Sequence, residues 1–342
     1  TVGSIVGTFL AGFWLLAFLG NTKLLMILAI VLALTSLLAS GSNKKIKIIV
    51  ALLILGNFTT YSLKENKLAQ AGIIELDTDY NHVQIYKSRD PKTDQQVQTL
   101  DLGRASHSSM FLENDDLVFE YTKFYNLAKH FRPDLENSLI IGGGAYSYPK
   151  YYLKHFPEAD LDVVEIDPQL TELARKYFRL EENPRLNIYH EDGRTFLNKN
   201  TYKYDVIFGD AFHSFYSIPY QLTTVGAIQK IYDSLTDDGI VLVNIISSME
   251  GKTGKFLKAE YATLSEVFPQ VYIFPVNHPE NPNVIQNIIL LGMKSDKKPD
   301  FKSDDPELQS YLKNLYTKEI QTDLPILTDD FAPVDQYIME LL

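Results

Sequence analysis

Apolar positions along the chain fall into two regimes. Up to Leu63 they form three nearly continuous runs, Val2 to Gly20, Leu24 to Ser40 and Ile46 to Leu63, separated only by "NTK" and "GSNKK". Each run is about as long as a helix needs to be to cross the ~30 Å of a bilayer, and links this short force antiparallel neighbours. A cleaved signal peptide would be a single run. Gly3, Gly7 and Gly12 suit close helix packing in lipid. The pattern predicts three transmembrane helices over residues 1–63. Because the chain starts at Thr1 and is already apolar, they read as the C-terminal part of a larger membrane region.

Beyond Leu63 the period shortens. Residues 71–112 alternate in "GIIEL", "HVQIYKS" and "QVQTLDL", with "RDPKTD" as a turn, which predicts a small antiparallel β unit. "ENDDLVFEYTKFYNLAKHF" reads as one amphipathic helix, capped by Asn114 or Asp115, with Leu117, Tyr121, Phe124 and Leu127 along one face. After Asn137 short apolar strands, among them "SLIIGGG", "LDVVEID", "RLNIYHED", "YDVIFGDAF" and "GIVLVNIIS", alternate with helical segments at 168–178, 224–234 and 254–268. Strands buried on both faces between helices mean a mostly parallel, doubly wound α/β sheet with ligands at the carboxyl ends of the strands. The final strands, "VYIFPV" and "NIILLGMK", are joined by a loop and not a helix, so they pair antiparallel. That ending resembles S-adenosylmethionine-dependent methyltransferase folds more than dehydrogenases. Residues 113–342 are therefore expected to form one Rossmann-like domain.

Charge and residue usage narrow the chemistry. All 43 acids lie beyond residue 63, and the net charge of -11 argues against nucleic acid and suits cationic partners. The absence of cysteine excludes disulfides, a thiolate nucleophile and Cys-ligated zinc, and the seven histidines show no paired ligand spacing, so no metal is expected. Ser214 lacks the flanking glycines of a nucleophile elbow. Lys44, Lys45 and Lys47 lie between the second and third apolar runs and only Lys23 between the first and second, which taken literally places the large domain outside; Lys64 and Lys67 pull the other way.

Candidate site residues cluster at strand ends. Gly142, Gly143 and Gly144 close the first parallel strand, where a backbone without Cβ atoms can turn tightly and approach a ligand, or can serve only strand-to-helix packing. Glu165 ends the second strand about 20 residues on, where an acid accepts from ribose hydroxyls. Asp167 reads as a helix cap. Asp192 and Gly193 end the third strand, where a carboxylate and a backbone N–H can meet the edge of an adenine. Asp210, at the end of the fourth, stands where a doubly wound sheet places a reactive group and can orient or deprotonate an amine. His213 follows in the loop, either as an acid/base partner or as a hydrogen bond holding that loop. Tyr146, Tyr216 and Tyr220 are the expected pocket walls.

From about Ile73 to Met293 the chain resembles the spermidine synthase (polyamine aminopropyltransferase) family, and the preceding spans resemble its membrane-embedded branch. The matching stretches are "IIGGG", "VVEIDP", "NPRLNIYHEDGRTFL", "YDVIFGDAF" and "ILTDDFAPVDQY". The resemblance implies a Rossmann-like domain that binds decarboxylated S-adenosylmethionine, with Glu165 on the ribose, Asp192 and Gly193 on the adenine, and Asp210 as the catalytic carboxylate. It implies a small-molecule amine as partner, alongside membrane lipid and with a homodimer open. The co-substrate is expected to be decarboxylated S-adenosylmethionine or S-adenosylmethionine itself, both cytosolic metabolites, so the domain is expected to face the cytoplasm.

Three places depart from the family. Ala145 replaces the acid that holds the aminopropyl group. Ala211, Phe212, His213 and Ser214 stand where a second aspartate, proline and glycine are usual. Phe119, Glu120 and Tyr121 stand where the family offers a tyrosine and a histidine. Each lost ion pair to a buried cation is worth on the order of 2–4 kcal/mol, which weakens the expectation of a polyamine acceptor. Another S-adenosylmethionine-dependent enzyme, a methyltransferase or lyase, and a non-catalytic nucleotide-sensing domain on a membrane bundle are the alternatives.

Overall fold

A computed structural model describes residues 2–11, 15–39, 41, 44–103, 105–211, 218–320 and 323–341. The chain divides into two units, one of Thr1–Arg89 with Gln98–Ser106, the other of Asp90–Val97 with His107–Leu342.

The first unit begins with helices α1 (Val2–Leu10), α2 (Leu16–Ala39) and α3 (Lys44–Gln70). Two segments, Thr22–Ala39 and Lys44–Gln70, are long and apolar enough to cross a membrane, with mean hydropathies of 2.3 and 1.7. Leu25, Leu32, Leu38, Leu52, Leu53 and Leu55 all stand exposed on them. Such helices present apolar side chains where a soluble protein would place polar ones. Two of the three expected apolar segments are thus candidate spans by length and composition, and the first expected segment includes residues 12–14, which lie outside the described residues. α1 is described over nine residues, Val2–Leu10. Gly20, at φ 67°, interrupts helical geometry inside α2.

Strands β1 (Ile74–Asp77), β2 (His82–Arg89), β3 (Gln96–Leu102) and β4 (Ala105–Phe111) follow in sheet order β1-β2-β3-β4. The sequence pattern marks three of these. "ASHSSMF" carries no apolar alternation, and it becomes a strand because Gly103, at φ 68°, turns the chain back.

In the second unit the single helix expected over 113–131 is instead two short ones, α4 (Glu120–Phe124) and α5 (Leu127–Phe131). Between them Tyr125 N and Asn126 N bond to the carbonyls three residues back, at Thr122 and Lys123, so the turn tightens to 3₁₀ geometry. The expected caps do other work: Asp115 pairs with Arg179 at 3.0 Å, and Asn114 Oδ1 accepts from Asp116 N.

The main sheet comprises β5 (Asn137–Ile141), β6 (Asp160–Val164), β7 (Leu186–Tyr189), β8 (Tyr204–Gly209), β9 (Leu235–Ser247), β10 (Gln270–Pro275) and β11 (Gln286–Met293). Its order is β10-β11-β9-β8-β5-β6-β7, with β5 to β9 parallel and β11 antiparallel to both β9 and β10. Helices α6 (Ser147–His155), α7 (Pro168–Tyr177), α8 (Gly193–Lys199), α9 (Val225–Ser234) and α10 (Lys255–Val267) join the strands, and α11 (Pro306–Leu312) and α12 (Val334–Ile338) follow. Two apolar clusters cover the sheet. Ile140, Val206, Phe208 and Leu242 belong to one, and their chain neighbours Leu139, Ile207, Val241 and Val243 to the other. This alternation is what continuous apolar strands between two helical layers require. Asp205, at the start of β8, accepts from Arg132, from Glu136 N and Asn137 N, and from Thr236, and so ties the strand bottoms together.

Candidate active site

β5 lies between β6 and β8, so strand order reverses there and the carboxyl ends diverge into a crevice. The parallel register puts Ile141 opposite Gly209, and the residues that follow, Gly142 and Asp210, therefore meet. Asp210 N donates to Ile141 O at 2.9 Å. A Cβ on Gly142, whose φ is 103°, would lie 2.5 Å from Asp210 O, and only glycine lets the two strand ends approach so closely.

Glu165, 1% exposed, sits behind this loop. Its Oε2 accepts from Gly143 N at 2.8 Å and Gly144 N at 3.0 Å, and its Oε1 accepts from Asp167 N at 2.9 Å. Asp167 caps α7 by accepting from Gln169 N. Asp192 caps α8 through Thr195 N at 2.9 Å, and its other oxygen accepts from Gln221 at 3.3 Å. Gly193 is buried, with Ile141 Cγ2 at 2.8 Å from where a Cβ would stand. A carboxylate offers about four lone-pair positions, so Glu165 and Asp192 both retain acceptor capacity beyond these bonds.

Asp210 itself is half-buried among polar side chains. Tyr121 donates to its Oδ2 at 3.3 Å and Asn244 Nδ2 to its Oδ1 at 3.4 Å. Tyr125 places a buried hydroxyl near the same carboxylate but outside hydrogen-bonding geometry. Burial pushes the Asp210 carboxyl up to about 7, against the opposing pull of the Tyr125, Asn244 and Tyr121 groups. Burial, with the neighbouring Asp210 charge, also holds the Tyr121 and Tyr125 hydroxyls well above their ordinary value. Asp210, Tyr121, Phe119, Ser108, Gly142 and Gly143 line a small pocket of about 30 Å³, enough for one or two waters. A carboxylate that titrates near neutrality beside such a pocket can accept a proton from an amine there.

The remaining expected residues are placed as follows. Tyr146, at φ 59°, is fully buried behind the glycine loop. Its ring sits against Gly143 and its hydroxyl meets Thr171 at 2.7 Å, so it backs the loop and does not wall the Asp210 pocket. Ala145 is 0% exposed, with its N–H donating to Ser108. Tyr220 stands on a 3₁₀ turn, Tyr220–Leu222, at 52% exposure. His213 and Tyr216 lie outside the described residues. Among the described residues no group of three or more potential metal ligands occurs. The sequence reading missed the hydrogen-bonding role of Tyr121, which the helical pattern placed on an apolar face, and missed Asn244. The one signal for Asn244 was a lone amide in the otherwise apolar "IVLVNIIS".

A doubly wound sheet closed by an antiparallel β10/β11 pair, with a half-buried carboxylate at its switch point, defines a methyltransferase-type Rossmann-like fold. Within that class, the spermine/spermidine synthase domain matches residues 119–303, over half of the chain. The chain belongs to that family. It is 30% identical over 176 residues to the polyamine aminopropyltransferase of Vibrio vulnificus, covering 51% of this chain and 57% of that protein. A second relative, the polyamine aminopropyltransferase of Clostridium beijerinckii, is 25% identical over 221 residues, covering 64% and 76%. Among solved structures, a probable spermidine synthase from Corynebacterium glutamicum superposes with a TM-score of 0.59 at 23% identity, covering 70% of this chain and 86% of that one. The spermidine synthase of Thermotoga maritima gives 0.52 at 20% identity, covering 70% and 83%. The two structures show a shared fold.

Proposed function

We propose that the protein is a membrane-anchored, aminopropyltransferase-like enzyme that moves an alkyl group other than methyl from an adenosyl-sulfonium co-substrate to a small-molecule amine. The observation that carries this reading is the half-buried Asp210, hydrogen-bonded to Tyr121 and meeting Gly142 at the switch point. In the reaction, the amine lone pair forms a bond to the carbon next to the sulfonium. That carbon's bond to sulfur breaks, and the thioether leaves with the electron pair. Only a neutral amine can attack, and Asp210 takes the proton that the nitrogen must lose. Holding amine and carbon in line supplies much of the remaining acceleration.

Gly142, Gly143 and Gly144, with Glu165, Asp192 and Gly193, form the proposed adenosyl-binding half of the site. The spare acceptor positions on the two carboxylates suit ribose hydroxyls and the adenine amine, respectively. His213, Tyr216 and Tyr220, in and beside the loop after β8, are proposed for the acceptor side. The apolar Thr22–Ala39 and Lys44–Gln70 helices would anchor the domain to lipid, facing the cytoplasm where its co-substrate is made.

Incubation of the full chain in detergent with decarboxylated S-adenosylmethionine and a panel of amines should release methylthioadenosine. Asp210→Asn should lower that rate by about 10²- to 10⁴-fold. No release with any amine, together with no binding of either sulfonium, would overturn the reading. A second reading has one specific support: Ala145, buried and uncharged beside the glycines, leaves no acid there for an aminopropyl ammonium. It is favoured if S-adenosylmethionine itself is consumed, yielding S-adenosylhomocysteine and a methylated acceptor.

A further inference from the structure

Asp210 is held from two sides, and only one of them faces the pocket. On the pocket side Tyr121 donates to Oδ2. On the other side Asn244 Nδ2 reaches Oδ1 at 3.4 Å, and Asn287 Nδ2 donates to Asn244 Oδ1 at 3.0 Å. Neither asparagine lines the pocket.

Strand register explains how these groups meet. Phe208 pairs with Leu242 and Gly209 with Val243, which brings Asp210 level with Asn244. Across the antiparallel pair, Asn244 is opposite Ile289 and Asn287 opposite Ile246, so the two asparagines are diagonal neighbours on one sheet face. Asn244 is 3% exposed inside an apolar strand, where an unpaired amide would cost about 1–3 kcal/mol. Its amide therefore has a required direction. Asn287 occupies the carbonyl, and the NH₂ is turned to the carboxylate, which can only accept when ionised.

We infer that Asn287 and Asn244 form a positioning pair for the proposed transfer reaction, holding Oδ1 of Asp210 so that Oδ2, beside the Tyr121 hydroxyl, is the oxygen presented to the amine. The inference rests on the proposed function only for its catalytic consequence; the pair itself acts on the carboxylate whether or not turnover occurs. Other titratable groups facing Asp210 are the tyrosines at 121, 125 and 148, all held neutral by burial, and His107 lines the same pocket. A donor to the ionised form favours that form, and its removal raises the group's pKa.

The test is titration of the full chain labelled with ¹³Cγ-aspartate in detergent, with the Asp210 signal identified by its loss in Asp210→Asn. Asn244→Leu should raise the midpoint by about half a unit or more, a roughly threefold change in the protonation ratio. Asn287→Leu should raise it by less, Asn287→Ser should lie between that variant and the native chain, and Asn287→Leu should add nothing in the Asn244→Leu background. An unchanged midpoint in Asn244→Leu, or full additivity of the two leucine variants, overturns the inference. If Asn244→Leu does not fold, the partly exposed Asn287 carries the test, and an unchanged midpoint there is equally fatal. The pH midpoint of methylthioadenosine release should move with the titration. Shifted titrations with no turnover in any variant would leave the pair standing and remove the proposed reaction.

Discussion

Replacing Glu165 separates the scaffold of the site from its chemistry. The carboxylate accepts three backbone N–H groups, two from the glycine loop and one from the start of α7, in a position 1% exposed. Hydrogen bonds to charged groups are worth about 1.5–3 kcal/mol each, and an orphaned buried donor costs a further 1–3 kcal/mol, with strong non-additivity within one cluster. Glu165→Ala removes the shared acceptor for all three and should destabilise the fold by about 3–6 kcal/mol. Glu165→Gln can keep its carbonyl on Gly143 and Gly144 but turns an NH₂ toward the Asp167 N–H. The cost there is one lost bond and one donor facing a donor, about 2 kcal/mol. For a folding unit of this size that corresponds to a Tm lower by roughly 4–8 °C. Hydrogen exchange read by mass spectrometry on the full chain should show faster exchange at Gly143, Gly144 and Asp167 in both variants, and more in Glu165→Ala. Unchanged protection at these amides, with a Tm within a degree of the native chain, would refute the role assigned to Glu165.

Three further outcomes follow from other parts of the molecule. Both carboxyl oxygens of Glu260 on α10 are buried without a hydrogen-bond partner, and burial raises its pKa well above the ordinary carboxylate value. The folded state therefore holds the proton that the unfolded chain releases above about pH 4.3, so stability is lost as pH rises. Glu260→Gln should accordingly stabilise by about 1–3 kcal/mol near pH 8 and by less at pH 4, read from urea midpoints; an equal effect at both would contradict the assignment. Asp205→Ala should cost about 3–5 kcal/mol, because it leaves the 13%-exposed Arg132 guanidinium and two backbone N–H groups without their carboxylate, and a loss under 1 kcal/mol would show that water replaces it. The full chain should sediment with membrane vesicles and resist alkaline carbonate, and its recovery in the soluble fraction would rule out anchoring by α2 and α3.

The doubly wound sheet was legible from the chain because continuous apolar strands between amphipathic helices admit few other packings, and the loop between β10 and β11 announced an antiparallel pair. The glycines and the acids at 165, 192 and 210 were legible for the same reason: strand ends in such a sheet converge wherever its order reverses. The β4 strand and the break between α4 and α5 were not, since a left-handed glycine and a local 3₁₀ turn override hydrophobic period. Residue types at strand ends were thus determined by sequence alone. Only the tertiary structure decided which way they face: that Tyr146 lies behind the glycine loop, that Glu165 spends three of its acceptor positions on backbone, and that Asn287, 77 residues from Asp210 in the chain, reaches it through Asn244. Side-chain direction and partner depend on register between strands distant in sequence, and no local pattern encodes that register.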